Sequence, residues 1–298
     1  MLALIQKFIT FSLIGVALAW FLFFRDSHFW LALTGLLLLL LAYAFFLAVE
    51  LLLVRVIGNQ DGAAPPSFQQ LAAAWLGEMR TAPLVFTWLQ PFRHRAIPDQ
   101  ISSQSVLPGK RGVVFVHGYF CNRGFWNPWM TRLQGSGHAF VALSLEPVFA
   151  SIDDYTPQID AAVEQLIRAT GLAPLLVCHS MGGLAVRAWL GRQLDLTRVH
   201  HIVTIGTPHR GTWLARFGLG TNVGQMRIDS PWQKKLEQAL TPERRRLFTC
   251  WYSSSDNIVF PASAAYIAGA NRHLLHGVAH VQMAFVPEVV TGSLALLE

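Results

Sequence analysis

The chain has 298 residues, of which 53% are hydrophobic and only 13% charged; soluble domains average about 25% charged residues, so part of this chain is expected to meet lipid. Its net charge of +6 comes from Lys and Arg that are scattered rather than striped, which argues against nucleic acid and leaves anionic headgroups as the natural partner. Three cysteines, Cys121, Cys178 and Cys250, are odd in number and at no metal spacing, which argues against a disulfide framework and against zinc.

Two apolar runs open the chain. Phe8–Phe24 is uncharged and, as a helix, roughly 25 Å long; Phe29–Val49 is a full span. A secretory signal would account for the first run alone, but it leaves the second unexplained, and no small-x-small cleavage site follows. The expectation is a transmembrane hairpin over residues 1–57 that turns at Arg25–His28, with Trp20, Trp30 and Tyr43 at interface depths. Lys7 before the hairpin and Arg55, Arg80, Arg93 and Arg95 after it put both ends, and whatever follows, on the cytoplasmic side. Glu50 ends the second run, and the plain reading seats it among headgroups near Arg55.

Residues 58–110 read as a connecting region. Gly58–Ser67 is a Gly- and Pro-containing linker, and Ser67 with Gln70 forms a capping box for an amphipathic helix to about Met79. The aromatic residues Phe86, Trp88 and Phe92 either lie on the bilayer or pack on the following domain.

From 111 to 298 the pattern is that of an α/β domain. Apolar strand-like runs, at Val113–Gly118, Ala139–Leu145, Ala173–Ser180, Val199–Gly206 and Leu247–Ser254, alternate with helix-period segments, and Arg272–Gly277 offers a sixth. That alternation predicts a parallel sheet covered on both faces, with ligands at the carboxyl ends of the strands.

Ser180 falls where a strand meets a helix, in "CHSMGG", the context of a nucleophile elbow. Gly182 meets the need for a small residue two places after the serine, while Cys178 stands where a glycine is usual two places before it. A helix-capping serine is the plain alternative. A serine nucleophile needs a base and a group to orient it, and behind an elbow these come in the order acid, then histidine. Asp256, in the loop after the fifth strand, is the candidate acid, since its rivals Asp195 and Asp229 follow no strand. His280 is the candidate base, with His276 second. The oxyanion donors are the backbone N–H groups of Met181 and of Tyr119, or its neighbour Phe120. His117 reads as a loop-holding residue, and the scheme calls for neither metal nor cofactor.

Taken in order, "VHGY", "CHSMGG", "GTPHRGTWLA", "SSSDNIVFP" and "GVAHVQM" resemble the lipase and esterase branch of the α/β-hydrolases, the bacterial triacylglycerol lipase type. The resemblance runs from Val113 to about Val286. It implies an α/β-hydrolase fold, Ser180, Asp256 and His280 as the triad, and His209 and Arg210 as structural residues of the "GTPHRG" loop. It also implies a cap or lid near residues 212–246 and an acyl-enzyme route for cleaving lipid esters. With the hairpin, it points to an integral protein of a bacterial inner membrane. The alternatives are a phospholipase or lipid-remodelling deacylase with the same triad, or a non-enzymatic membrane scaffold on the same fold.

Overall fold

The N-terminal runs form two helices, α1 (Leu2–Phe24) and α2 (Phe29–Ile57), packed against each other in a computed structural model that describes residues 1–58, 65–102 and 105–298. Both are long and apolar enough to cross a membrane, with mean hydropathy of 2.0 and 2.7. Each is longer than its apolar run. The helix α1 extends back past Lys7 because Gln6 is buried and its side chain is paired with Gln90 and the Phe120 carbonyl, so a polar residue costs the helix nothing there. The helix α2 continues through Glu50 and Arg55, both of which find partners on the rest of the protein. Arg25 and Asp26 form an exposed ion pair at the turn.

Residues 59–64 of the expected linker lie outside the described residues. The helix α3 (Phe68–Pro83) begins at the expected capping box: Ser67 Oγ accepts from Gln70 N at 3.2 Å and Gln70 Oε1 accepts from Ser67 N at 2.8 Å. It runs past Met79 to Pro83, then widens into a π-helical turn, Leu84–Leu89, before a last turn at Gln90–Arg93. Pro83 has no N–H to donate, which loosens the ladder at that point. Phe92 packs edge-on to Phe11 of α1, Phe86 is partly buried against the core, and Trp88 stays exposed.

Six parallel strands follow: β1 (Val113–Val116), β2 (Phe140–Ala142), β3 (Leu175–His179), β4 (His201–Ile205), β5 (Phe248–Ser253) and β6 (Asn271–Leu275), ordered β2-β1-β3-β4-β5-β6. All six expected strands form, including the tentative sixth. One face packs against the helices Thr156–Thr170 and Met181–Gly191, the other against Phe125, Trp126, Trp129 and the C-terminal segment. With both faces covered, β1 to β3 are buried at every position, and all but His179 at the end of β3 are apolar. The strand order reverses between β1 and β3, so the carboxyl ends of those two strands frame the crevice where an open α/β sheet takes its ligand.

Residues 212–246 leave the sheet between β4 and β5 as four short helices, Trp213–Arg216, Thr221–Gln225, Pro231–Gln238 and Pro242–Arg246. Arg244 and Arg245 of the last tie it to its neighbours. Arg244 donates to the Ala239 and Gln193 carbonyls, and Arg245 pairs with Glu237 at 2.6 Å.

Candidate active site

At the end of β3 the chain turns sharply at Ser180, whose φ of 53° and ψ of −128° lie far from those of the flanking strand and helix. Such a conformation costs a non-glycine residue about 1–3 kcal/mol and persists only where the surroundings fix it. Here Ser180 N donates to the Ile205 carbonyl of β4 at 2.9 Å, and the helix Met181–Gly191 starts at the next residue. Gly182 is required by space: a Cβ there would lie 2.4 Å from the Val116 carbonyl oxygen and 2.6 Å from that of His117. No comparable demand falls on Cys178. Its side chain is fully buried in the core between Val116 and Thr204, so the missing glycine leaves the turn intact. Met181, at the first helical position, has a backbone N–H that the helix itself cannot satisfy.

Asp256 and His280 meet as expected. His280 Nδ1 and Asp256 Oδ2 are 2.9 Å apart, and both residues are almost fully buried. The second carboxylate oxygen of Asp256 accepts from Ile258 N at 2.9 Å and Val259 N at 2.8 Å, which fixes its plane. Burial alone would push the His280 imidazolium down, but the Asp256 carboxylate, then Glu78 and Glu50, outweigh it and hold the pKa above its ordinary 6.5. The rivals are elsewhere occupied. Asp195 caps the turn Leu196–Arg198, Asp229 is an exposed turn residue at φ 59°, and His276 bonds Ser254 Oγ at 3.0 Å.

His117 holds its loop as expected. Its Nδ1 donates to the Gly118 carbonyl at 2.9 Å and its Nε2 accepts from Leu145 N at 2.9 Å. Burial lowers its pKa to about 4, so it stays in that single neutral form. Gly118 lies so close to the elbow that a Cβ would come within 2.8 Å of Ser180 Cβ, which puts Tyr119 and Phe120 beside the serine. His209 and Arg210 are held structurally: His209 Nε2 meets Thr204 Oγ1 at 3.0 Å, and Arg210 N donates to the Ala264 carbonyl at 3.0 Å.

Sequence reasoning missed the supports, which come from the N-terminal helices. Glu78 of α3 is buried, and its two oxygens accept from Val281 N at 3.0 Å and Gln282 N at 2.8 Å, the two amides just past His280. Burial pushes the Glu78 carboxyl up, against the pull of those two donors and of His280. Glu50 of α2 is buried against the domain rather than seated at a headgroup surface. It accepts from Asn257 Nδ2 at 2.8 Å, and Asn257 Oδ1 in turn accepts from His280 N at 3.1 Å. His179 Nε2 donates to the His280 carbonyl at 3.1 Å. On the other side of the site, Gln6 of α1 donates to the Phe120 carbonyl and to Gln90 Oε1, both at 3.2 Å. Each N-terminal helix therefore grips one wall of the site.

A cavity of about 780 Å³ opens from Ser180 and His280. Gly118, Tyr119, Phe120, Asn257 and Ile258 line it beside the serine, α3 and the turn after it contribute Glu78, Ala82, Pro83, Phe86 and Thr87, and α1 and α2 line much of the rest. None of its lining comes from the described residues of 212–246, where a cap was expected; the cover over this site is the helical hairpin. Ser180 and His280 share its wall, but no hydrogen bond joins the hydroxyl to the imidazole among the described residues. No group of three or more His, Cys, Asp or Glu side chains that could hold a metal ion occurs among the described residues either.

Comparison with known proteins agrees with the sheet. Residues 113–291, more than half of the chain, match the model of the alpha/beta hydrolase family. A triacylglycerol lipase of Burkholderia plantarii is 33% identical over 134 residues, 41% of this chain and 36% of the lipase. The chain thus spans about a third of the length of the curated relative it matches. The mature lipase BlEst2 of Bacillus licheniformis superposes with a TM-score of 0.56 at 17% identity, covering 64% of this chain and 94% of that one. Lipase B of Aspergillus fumigatus gives 0.55 at 18% identity over 66% and 55% of the two chains. At such identities these two structures speak for the fold.

Proposed function

The chain belongs to the alpha/beta hydrolase family, and from that premise we propose that it is a serine hydrolase that cleaves carboxylic esters of lipids and is anchored in a membrane by residues 1–57. One observation carries the reading: His280, paired with the buried Asp256, lines the same cavity as a serine held in a strained turn at the end of β3. A helix-capping serine would explain the position but not the pair beside it.

In this reaction Ser180 Oγ attacks the ester carbonyl as His280 Nε2 takes its proton. Asp256 holds the opposite ring nitrogen as an N–H donor and stabilises the imidazolium that forms. The N–H groups of Met181 and Tyr119 receive the negative charge on the carbonyl oxygen, a contribution worth about 3–4 kcal/mol per donor. Collapse of the tetrahedral species expels the alcohol, which leaves with the proton from His280. Water then repeats the cycle on the acyl-enzyme, its proton passing to His280 and on to Ser180. The hydroxyl-to-imidazole contact forms as substrate settles, as catalytic hydrogen bonds in empty sites commonly do.

The triacylglycerol lipase relative supports an ester substrate, and the hydropathy of α1 and α2 supports the anchor. Alkyl fluorophosphonate labelling and ester hydrolysis in detergent micelles test the scheme. Ser180→Ala is expected to lose both while keeping its circular dichroism spectrum, and retained turnover in that variant rules the scheme out.

A further inference from the structure

The cavity does not stop at the catalytic groups. Along α1 it is lined by Gln6, Ile9, Leu13 and Ala17, residues that recur on one helical face, and along α2 by Leu36, Leu39, Tyr43 and Phe46. From Gln6 to Ala17 is roughly 16 Å at 1.5 Å per residue, room for about a dozen methylenes at about 1.3 Å each. The end at Ser180 carries the hydrogen-bonding groups, Asn257, His280 and Glu78 among them; the far end is wholly aliphatic and lies within the apolar part of both helices. The walls are also open at the side. Leu13 is 59% exposed and Phe46 60%, although both line the cavity.

We infer that the slot between α1 and α2 is the acyl-chain site of this enzyme, and that its occupant is one long fatty-acyl chain of a membrane lipid ester, entering sideways from the bilayer. The inference rests on Ser180 being the nucleophile and adds the substrate class and its route. The order of chemistry along the slot selects this occupant. An ester carbonyl at Ser180 leaves its acyl chain pointing down an apolar channel of matching length, and the open flank faces the medium in which such chains are dissolved. A soluble, short-chain ester would leave most of this surface uncovered, and burying apolar surface yields roughly 25 cal/mol per Å². Chain length should therefore register strongly in kcat/KM.

Two measurements on the full chain in phosphatidylcholine nanodiscs test this. The first compares p-nitrophenyl palmitate with p-nitrophenyl butyrate. Ala17→Phe, which narrows the far end, is expected to lower the palmitate-to-butyrate ratio of kcat/KM at least tenfold. Phe45→Trp, at a residue of α2 that is 72% exposed and outside the lining, is expected to keep the wild-type ratio. The second uses palmitic acid carrying a diazirine near its methyl end, photolysed with the Ser180→Ala protein so that no turnover is needed. Adducts are expected on Leu13–Ala17 or Leu36–Leu39. Adducts confined to residues 212–246, cross-links only between two copies, or no adducts would each overturn the inference, as would an unchanged ratio in Ala17→Phe. Those results leave the hydrolase reading intact, whereas wild-type protein that turns over neither ester defeats both.

Discussion

Glu78 offers the sharpest test of how the site is held. In Glu78→Gln one oxygen remains to accept an amide, while an NH2 group replaces the other and faces an N–H that it cannot satisfy. Both lost and retained bonds are now to Val281 N and Gln282 N, at 3.0 and 2.8 Å in the native protein. A hydrogen bond to a charged group contributes about 1.5–3 kcal/mol, and a buried donor left without a partner costs about 1–3 kcal/mol. The expected loss of stability is about 2–4 kcal/mol, a fall in Tm of roughly 3–6 °C for a protein of this size. Val281 adjoins His280, so the ring shifts, and a displacement near 1 Å can cost about 100-fold in rate. The charge matters separately. Glu78 is among the carboxylates that raise the His280 pKa. Ester hydrolysis needs His280 neutral, so activity is lost as pH falls through that pKa, and removing a negative charge moves the acid limb of kcat/KM to lower pH. The assay is a pH profile of kcat/KM alongside a melting curve. A limb that stays in place while kcat falls would mean that Glu78 is uncharged in that range and acts only as a clasp; wild-type kcat, limb and Tm together would refute the reasoning.

Asp256→Asn is expected to lower kcat by about 10³–10⁴-fold, because the amide favours the wrong imidazole tautomer, and its acid limb should also move down in pH, since Asp256 is the largest raising influence on His280; stopped assays from acid to neutral pH would read both. Asn257→Ala cuts the link from Glu50 to the His280 amide, and a buried N–H without a partner should cost about 1–3 kcal/mol in a denaturant melt. Gly182→Ala sets a methyl 2.4 Å from a backbone oxygen that belongs to β1; a loss of at least about 1–3 kcal/mol is expected, and a variant as stable as wild type would show that the turn can relax.

The sheet and the candidate trio were readable because they depend on short patterns. Buried parallel strands are continuous apolar runs, and the elbow is fixed by Ser180, Gly182 and the helix behind them. Asp256 and His280 followed from chain order. Cys178 looked like a departure in the sequence, yet position 178 faces the core and not a neighbouring backbone, so only Gly182 bears the spatial demand. The supports were hidden by distance along the chain. Glu78 bonds residues more than two hundred positions away, and no local pattern encodes that. A signal did exist. The buried stripe of α3 reads Leu71, Ala74, Glu78, Ala82, and a carboxylate on an otherwise apolar face needs a partner. Gln6 and Glu50, polar residues at the edges of apolar helices, carried the same message. The wall of the cavity was hidden for a related reason: residues 212–246 fit the position where such domains insert a cap, but it is the apolar hairpin that lines the space over Ser180.

The grip of Gln6 on the Phe120 carbonyl has a practical side. Trimming the first two helices to obtain a water-soluble fragment would strip the Tyr119–Phe120 loop of its brace, free Asn257 from Glu50 and expose the Glu78 clasp to solvent. Such a fragment would be a damaged catalyst and not a free-floating version of the same one, and its inactivity would say nothing about the intact protein.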